Sequence, residues 1–179
     1  MTPTPMEPTD ELVDHVDVDG HVLGVVTRGE MRAGTLRHRC TYVFVVRPSG
    51  RLVVHRRAGW KSIYPGFWDV AFGGICGAGE AWEIAAAREL TEEAGVSDQP
   101  LVELGSLRYD ADDGHVVGRA YVVVTDDVVV PSDGEVVDVA EIPLTGLDEW
   151  IEGRDVCFDS MASALPLLMT WCDSVGVDR

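Results

Sequence analysis

Short apolar runs separated by turn-forming residues divide most of this chain into strand-sized pieces. Valines flank Asp19-Gly20 on both sides, which predicts an antiparallel hairpin over residues 16–26. Residues 41–46 form an apolar run closed by Pro48-Ser49-Gly50, and residues 51–57 resume after it, so these two strands are predicted to pair as a second hairpin. Residues 58–66, with Trp60, Lys61, Tyr64 and Pro65, have no period and read as a loop entering a strand over 68–75. Strands are also predicted at 101–109 and 115–124, joined by an acidic turn at 110–114. A last one is predicted at 137–142, after a loop over 131–135.

The period changes over residues 80–94, where Ala and Glu dominate, Ile84, Ala87, Leu90 and Ala94 lie near one stripe, and Gly95 stands where a helix should stop. Residues 147–152 and 159–172 are further helices, the second with Met161, Leu165, Leu168 and Met169 at packing intervals. Residues 1–10 contain three prolines among polar neighbours and are expected to be a disordered lead-in. Residues 11–179 then make one domain, since the chain is long enough for a single ordinary core. Mixed strands with interspersed helices imply an α/β or α+β fold with helices covering the sheet.

Composition narrows the partners. A net charge of -17 argues against a nucleic-acid polymer, which is held by clustered Lys and Arg. A phosphorylated small molecule stays compatible with it if a cation lies between the charges. Cys40, Cys76, Cys157 and Cys172 are too scattered for a zinc site or a disulfide framework and are expected as reduced, buried thiols. No run approaches the roughly eighteen apolar residues of a membrane span, and the N-terminus lacks the basic and apolar regions of a signal peptide, so a cytoplasmic location is expected. The oligomeric state is left open, a homodimer included.

The candidate chemistry sits at the change of period. Glu89, Glu92 and Glu93 are spaced i, i+3, i+4 and share one helix face. Three such carboxylates repel one another unless a hard cation joins them, and oxygen ligands suit Mg²⁺ or Mn²⁺. The bland alternative is a solvated acidic face. Residues 74–96, however, carry Gly74, Glu80, Arg88, Glu89, Leu90, Glu92, Glu93, Gly95 and Val96 at every specified position of G-x5-E-x7-R-E-U-x-E-E-x-G-U, with U apolar. Random agreement is on the order of one in a billion per window, so coincidence is set aside.

That segment resembles the Nudix box. The resemblance implies a Nudix fold, a mixed sheet between helices, in which the box is a loop-helix-loop platform for metal and diphosphate. It implies that Glu89, Glu92 and Glu93 are metal ligands together with a backbone carbonyl at Gly73 or Gly74, and that Gly74 also adjoins the substrate. Arg88 is then the residue orienting the glutamates, and Glu80 is a structural contributor that also favours the positive end of the helix. The implied reaction is attack of water on phosphorus, with Glu89 or Glu135 as general base. The expected activity is Mg²⁺-dependent cleavage of a diphosphate linkage in a nucleoside di- or triphosphate or a related derivative.

A second resemblance covers His38, His55-Arg56-Arg57, Lys61, Pro65-Gly66 and Trp68, which is similar to the type 1 isopentenyl diphosphate isomerases. It implies that Arg57 and Lys61 hold the substrate diphosphate, a fork and a point charge of the needed kind. The isomerase chemistry itself is not expected: Gly73 and Ile75 stand where that family has a cysteine and a metal-binding histidine, Cys76 is displaced by three residues, and no acidic pair occurs around 118–121. The expectation is therefore an isomerase-like branch of Nudix hydrolases. The alternatives are an isoprenoid diphosphate isomerase and a nucleotide-sensing module without turnover. His38 is expected to pack near the sheet, His55 to face solvent, and Trp60, Tyr64, Phe67 and Trp68 to stack on a base or pack in the loop.

Overall fold

The computed structural model describes residues 7–178. β1 (Leu12–Val16) and β2 (Val22–Thr27) form the first hairpin around the Asp19-Gly20 turn. β2 runs straight into a helix that the apolar pattern did not announce, α1 (Arg28–Ala33), which buries only Met31. Its start is fixed by a capping box: the Glu30 amide donates to the Thr27 hydroxyl while the Thr27 amide donates to the Glu30 carboxylate.

The main sheet contains β3 (His38–Val46), β4 (Arg51–Arg57), β5 (Trp68–Asp69), β6 (Val102–Ala111), β7 (Gly114–Val124) and β8 (Val136–Pro143). Its order is β5-β4-β3-β7-β6, with β8 also on β4. β3 and β7 run parallel in register from His38↔Val116 to Val46↔Val124, and the other neighbours are antiparallel. The predicted hairpin of β3 and β4 forms but pairs only at Val45↔Val53 and Val46↔Leu52. Beyond that point β4 follows β8, and residues 70–75 cross the opening to reach β3 at Val43↔Phe72 and Cys40↔Ile75. The strand expected over 68–75 is therefore two residues of β5 and then a crossing segment, and this departure brings the glycines of the box to the sheet.

Both faces are covered. Val43, Val45, Val53, Phe72, Tyr121 and Val123 pack against α2 (Trp82–Ala94). Tyr42, Phe44, Val46, Leu52, Val54 and Val122 pack on the other face, in one cluster with Leu147 of α3 (Leu147–Ile151) and Leu165, Leu168 and Cys172 of α4 (Leu165–Val175). A strand covered on both sides reads as an unbroken apolar run, which is what β3 does. A π-helical turn at Ser160–Ala164 leads into α4. In α2 the buried positions are Ala85, Ala86, Leu90, Glu93 and Ala94, so the expected stripe is offset and Ile84 is 63% exposed. Gly95 ends α2 at φ 67°, its amide donating to the Thr91 carbonyl. An added Cβ there would lie 2.5 Å from the Val130 oxygen, so Gly is required.

Three expectations need correction or completion. His55 is 1% exposed rather than solvent-facing, because β4 lies inside the sheet; its ring stacks on Phe72 at 4.4 Å, and burial pulls its pKa down to about 3. Of the lead-in expected over 1–10, residues 1–6 lie outside the described residues, while the rest is tied down. Glu7 bonds to Ser62, and the Gly29 amide donates to the Thr9 carbonyl. All four cysteines are free and buried, as expected. Among the described residues no helix is long and apolar enough to cross a membrane.

Candidate active site

Two glycines allow the crossing segment to touch both the sheet and α2. Gly73 has φ 149° and lies so close to β3 that an added Cβ would be 2.0 Å from the Thr41 oxygen. At Gly74 the same atom would be 2.7 Å from the Glu89 carboxylate. The Thr41 amide donates to the Gly74 carbonyl at 2.9 Å, and the Gly73 amide donates to Glu93 Oε2 at 2.9 Å. With the Gly74 oxygen committed to the sheet, the Gly73 oxygen is the better candidate for a backbone ligand.

Arg88 organises the acidic face. Its Nε and Nη2 donate to the two Glu80 oxygens, both at 3.0 Å, and its Nη1 donates to Glu89 at 2.7 Å and Glu92 at 3.3 Å. The forked contact to Glu80 is the geometry that Arg offers and Lys does not. Glu80 also accepts from the Gly77 amide at 2.8 Å, and its hydrogen bond from Arg88 is the main cause holding its pKa below the usual range. Glu80 thus anchors Arg88 to the loop before α2.

Glu93 is only 3% exposed, and burial, aided by the nearby Glu89 charge, pushes its pKa up to about 8. Burial likewise raises Glu89 to about 7, against the opposing pull of Arg88. Two buried carboxylates with raised pKa, beside a glycine cradle and the Gly73 carbonyl, form an all-oxygen donor set that suits a hard divalent cation. The oxygens of Glu89, Glu92 and Glu93 do not all lie within 4.8 Å of one another. Among the described residues, the grouping whose ligand atoms all lie within 4.8 Å is Asp17, Asp19 and His21 in the β1–β2 turn. That grouping is closed on itself, because Asp17 accepts from the Asp19 and His21 amides and shares a hydrogen bond with the His21 ring.

These shifts predict a pH and metal linkage. A carboxyl group whose folded pKa is raised stabilises the fold fully below the unfolded value, about 4.3 for Glu, and that contribution is lost as pH rises through the folded value. In chelator, the melting temperature should therefore fall between pH 5 and 8, and less so in Glu93→Gln. Mg²⁺ should raise it more at pH 8 than at pH 5.5. Calorimetry showing equal Mg²⁺ stabilisation at both pH values would contradict the assignment.

The acidic face opens on a cavity of about 420 Å³ that Arg57, Lys61 and Glu135 also line. Arg57 is held 4.0 Å from Asp69 and donates to the Ile63 carbonyl at 3.3 Å. Buried Lys61 meets Glu135 at 2.5 Å and Glu7 at 3.5 Å. All the residues singled out in the sequence, Arg57, Lys61, Gly73, Gly74, Arg88, Glu89, Glu92, Glu93 and Glu135, thus surround one cavity. Tyr64 alone of the four loop aromatics lines it, hydrogen-bonded to Asp113, while Trp68 packs edge-on against Trp150 at 5.4 Å. His38 lines it as a neutral ring, its Nδ1 donating to the Leu36 carbonyl and its pKa lowered to about 4 by burial. Burial pushes the Cys76 thiol up to about 12, so it is no ready proton donor for carbon chemistry.

Sequence reasoning missed the other walls. Tyr42 donates to Asp159 at 2.9 Å, and Asp69, with pKa raised to about 6 by burial and the Asp159 charge, completes a buried acidic corner beside Arg57. Glu7, Arg28 and Arg32 close the far side. A charged residue inside the apolar run 68–75 was the one available signal, at Asp69.

A mixed sheet between helical layers, with a glycine loop feeding a carboxylate helix, is the Nudix class of fold. A crystal structure of a Deinococcus radiodurans protein matches with TM-score 0.71 and 24% identity, covering 83% of this chain and 94% of that one. The NUDIX domain of Shewanella oneidensis NrtR, solved with ADP ribose, matches with TM-score 0.63 and 16% identity, covering 82% and 99%. The family model for the NUDIX domain matches residues 36–158, well over half of the chain, and the chain belongs to that family. An uncharacterised Nudix hydrolase of Streptomyces coelicolor is 41% identical over 116 residues, 65% of this chain and 62% of that protein. The YfcD protein of Salmonella typhi, likewise an uncharacterised Nudix hydrolase, is 30% identical over 164 residues, 90% of this chain and 84% of its own length.

Proposed function

We propose that this protein is a diphosphohydrolase that cleaves a diphosphate linkage in a small nucleotide-like substrate, using Mg²⁺ or Mn²⁺. The observation that carries the reading is the meeting, in one cavity, of the buried carboxylates Glu89 and Glu93 with the buried cations Arg57 and Lys61. The ligands would be Glu89, Glu92, Glu93 and the Gly73 carbonyl. When bound, the cation supplies neutralisation of phosphate oxygens and a more acidic attacking water. Arg57 and Lys61 hold the diphosphate oxygens, one as a fork and one as a point charge. Water attacks one phosphorus, the bridging P–O bond breaks with the leaving phosphate carrying away the bridging oxygen, and the water proton passes to Glu89. Arg88 fixes the orientation of that carboxylate.

Glu135 has a different part. Its 2.5 Å contact with Lys61 makes it the residue that positions the cation. Glu135→Gln is expected to raise KM about tenfold with kcat within a few-fold, whereas Glu89→Gln should lose kcat itself. The cavity has the volume of a small-molecule site, and the fold neighbour that holds ADP ribose supports a nucleotide diphosphate as the substrate type. The deciding experiment is phosphate release over nucleoside di- and triphosphates, nucleotide sugars, dinucleotides and prenyl diphosphates, with and without Mg²⁺. Absence of metal-dependent release from the whole panel would overturn the reading.

A further inference from the structure

We propose that Arg28, Arg32, Lys61 and Ser62 form a subsite for a terminal phosphoryl group, and that Glu7 fills it with its own carboxylate until a phosphate displaces it. The proposal rests on the diphosphohydrolase reading for its substrate, but its geometry lies across the cavity from the carboxylate helix. Glu7 Oε2 accepts from the Ser62 hydroxyl at 2.7 Å and its Oε1 from the Ser62 amide at 3.3 Å. Lys61 Nζ stands 3.5 Å from Oε1, and Arg28 Nη2 stands 3.7 Å from Oε2. Both separations exceed the roughly 2.7–2.9 Å of a charge-assisted hydrogen bond. One small carboxylate spans two cations without closing on either.

The supply of donors confirms that the fit is loose. Arg32 follows Arg28 by four residues, on the same side of α1, and lines the same cavity. Among the described residues its side chain makes no hydrogen bond or ion pair, while its backbone carbonyl accepts from the Thr35 amide, and the Nε atoms of Arg28 and Arg32 are both buried without a partner. Arg28 Nη1 is already taken by Glu11 at 3.0 Å and Lys61 by Glu135 at 2.5 Å, which leaves Arg28 Nη2, the Arg32 guanidinium and the Ser62 hydroxyl and amide for a group with two oxygens, when a phosphate monoester brings three oxygens and up to two charges. Burial raises the Glu7 pKa, but the Ser62 hydroxyl, Lys61 and Arg28 outweigh it and hold the value at about 2, so Glu7 competes as an anion at every working pH. Its displacement disturbs little of the backbone, because among the described residues the backbone hydrogen bonds of this segment to the body begin at Thr9, which accepts from the Gly29 amide.

Such a subsite favours substrates that end in a free phosphoryl group over those whose phosphates are esterified at both ends. The test uses the full chain in chelator and reads binding of inorganic phosphate by calorimetry at constant ionic strength, so turnover plays no part. Glu7→Gln is expected to bind phosphate about tenfold more tightly than the unaltered protein. Glu7→Asp, which keeps the charge but retracts it, should fall between the two, and adding Arg32→Gln to Glu7→Gln should abolish the gain. Melting curves on the same samples establish that each variant is folded. Unchanged phosphate affinity in folded Glu7→Gln and Glu7→Asp would overturn the proposal and leave Glu7 as a structural tie. Tighter phosphate binding in a protein that hydrolyses nothing in the panel would uphold the subsite and remove the hydrolase reading alone.

Discussion

Glu93→Gln is expected to lower metal-dependent hydrolysis about 10³-fold, roughly 4 kcal/mol of transition-state stabilisation, and to leave the protein folded. The fold survives because Gln is nearly isosteric and its amide oxygen can still accept the Gly73 N–H that Glu93 Oε2 accepts at 2.9 Å. Catalysis fails because the substitution removes the charge that burial has already made costly. At pH 8 without metal, about half of the Glu93 population is protonated, so the neutral variant should melt no lower than the unaltered protein. Glu92→Gln should also abolish turnover, although Glu92 is half exposed and touches only Arg88 among the box residues. Near-normal kcat/KM in both variants, with circular dichroism unchanged, would remove the carboxylate helix from the reaction.

The opposite signs expected for activity and stability are what separate a metal ligand from a structural carboxylate. Glu80 provides the contrast. It accepts two hydrogen bonds from Arg88 and one from Gly77, has its pKa lowered, and has every contact filled by the protein itself. A carboxylate satisfied in this way does not need a cation. Glu89 and Glu93, raised by burial, are the carboxylates for which a cation is proposed. The same distinction removes Asp17, Asp19 and His21 from consideration, since the turn's own amides satisfy that cluster.

What could be read from the sequence was local. The box, α2 and its Gly95 stop depend on a 3.6-residue period and on one glycine conformation, both written in consecutive residues. β4 was legible to the residue because the Pro48-Ser49-Gly50 turn precedes it and the aperiodic loop over 58–66 follows it. The stripe of α2 was read correctly at Leu90 and Ala94 but one position off at Ile84 and Ala87, because an Ala-rich helix offers little contrast in side-chain size. α1 escaped because it is shorter than two turns, and its Thr27-Glu30 cap follows directly on the hairpin read over 16–26. His55 was expected to face solvent, which a polar strand residue does only when one face of the strand is wet. The remaining walls of the cavity are long-range products of topology. Tyr42 meets Asp159 across 117 residues, and Glu7 meets Ser62 across 55. No spacing rule reaches that far.

Gly73→Ala is expected to be the most destabilising single-methyl change in the protein, and Gly74→Ala, one residue on, to leave stability largely intact while disabling the site. At Gly73 the new Cβ would lie 2.0 Å from the Thr41 carbonyl oxygen and 2.8 Å from its carbon, on a backbone at φ 149° that side chains rarely adopt. Neither neighbour can yield, because β3 is paired on its other edge with β7 along its whole length. Backbone strain of about 1–3 kcal/mol and a similar overpacking term together give a loss of roughly 4 kcal/mol. For a domain of this size that is a fall in melting temperature of roughly 8–16 °C. At Gly74 the atoms met are the end of the Glu89 side chain, 2.7 Å away, and a rotamer change can clear them. That change carries Glu89 off Arg88 and out of the cradle, so kcat should fall by two orders of magnitude or so while the melting temperature in chelator moves by only a few degrees. Thermal melts and steady-state rates on the two variants distinguish the roles. If Gly73→Ala melts with the unaltered protein, the crossing segment is not packed against β3 as described. If Gly74→Ala keeps full activity, Glu89 does not act from the position it holds beside that glycine.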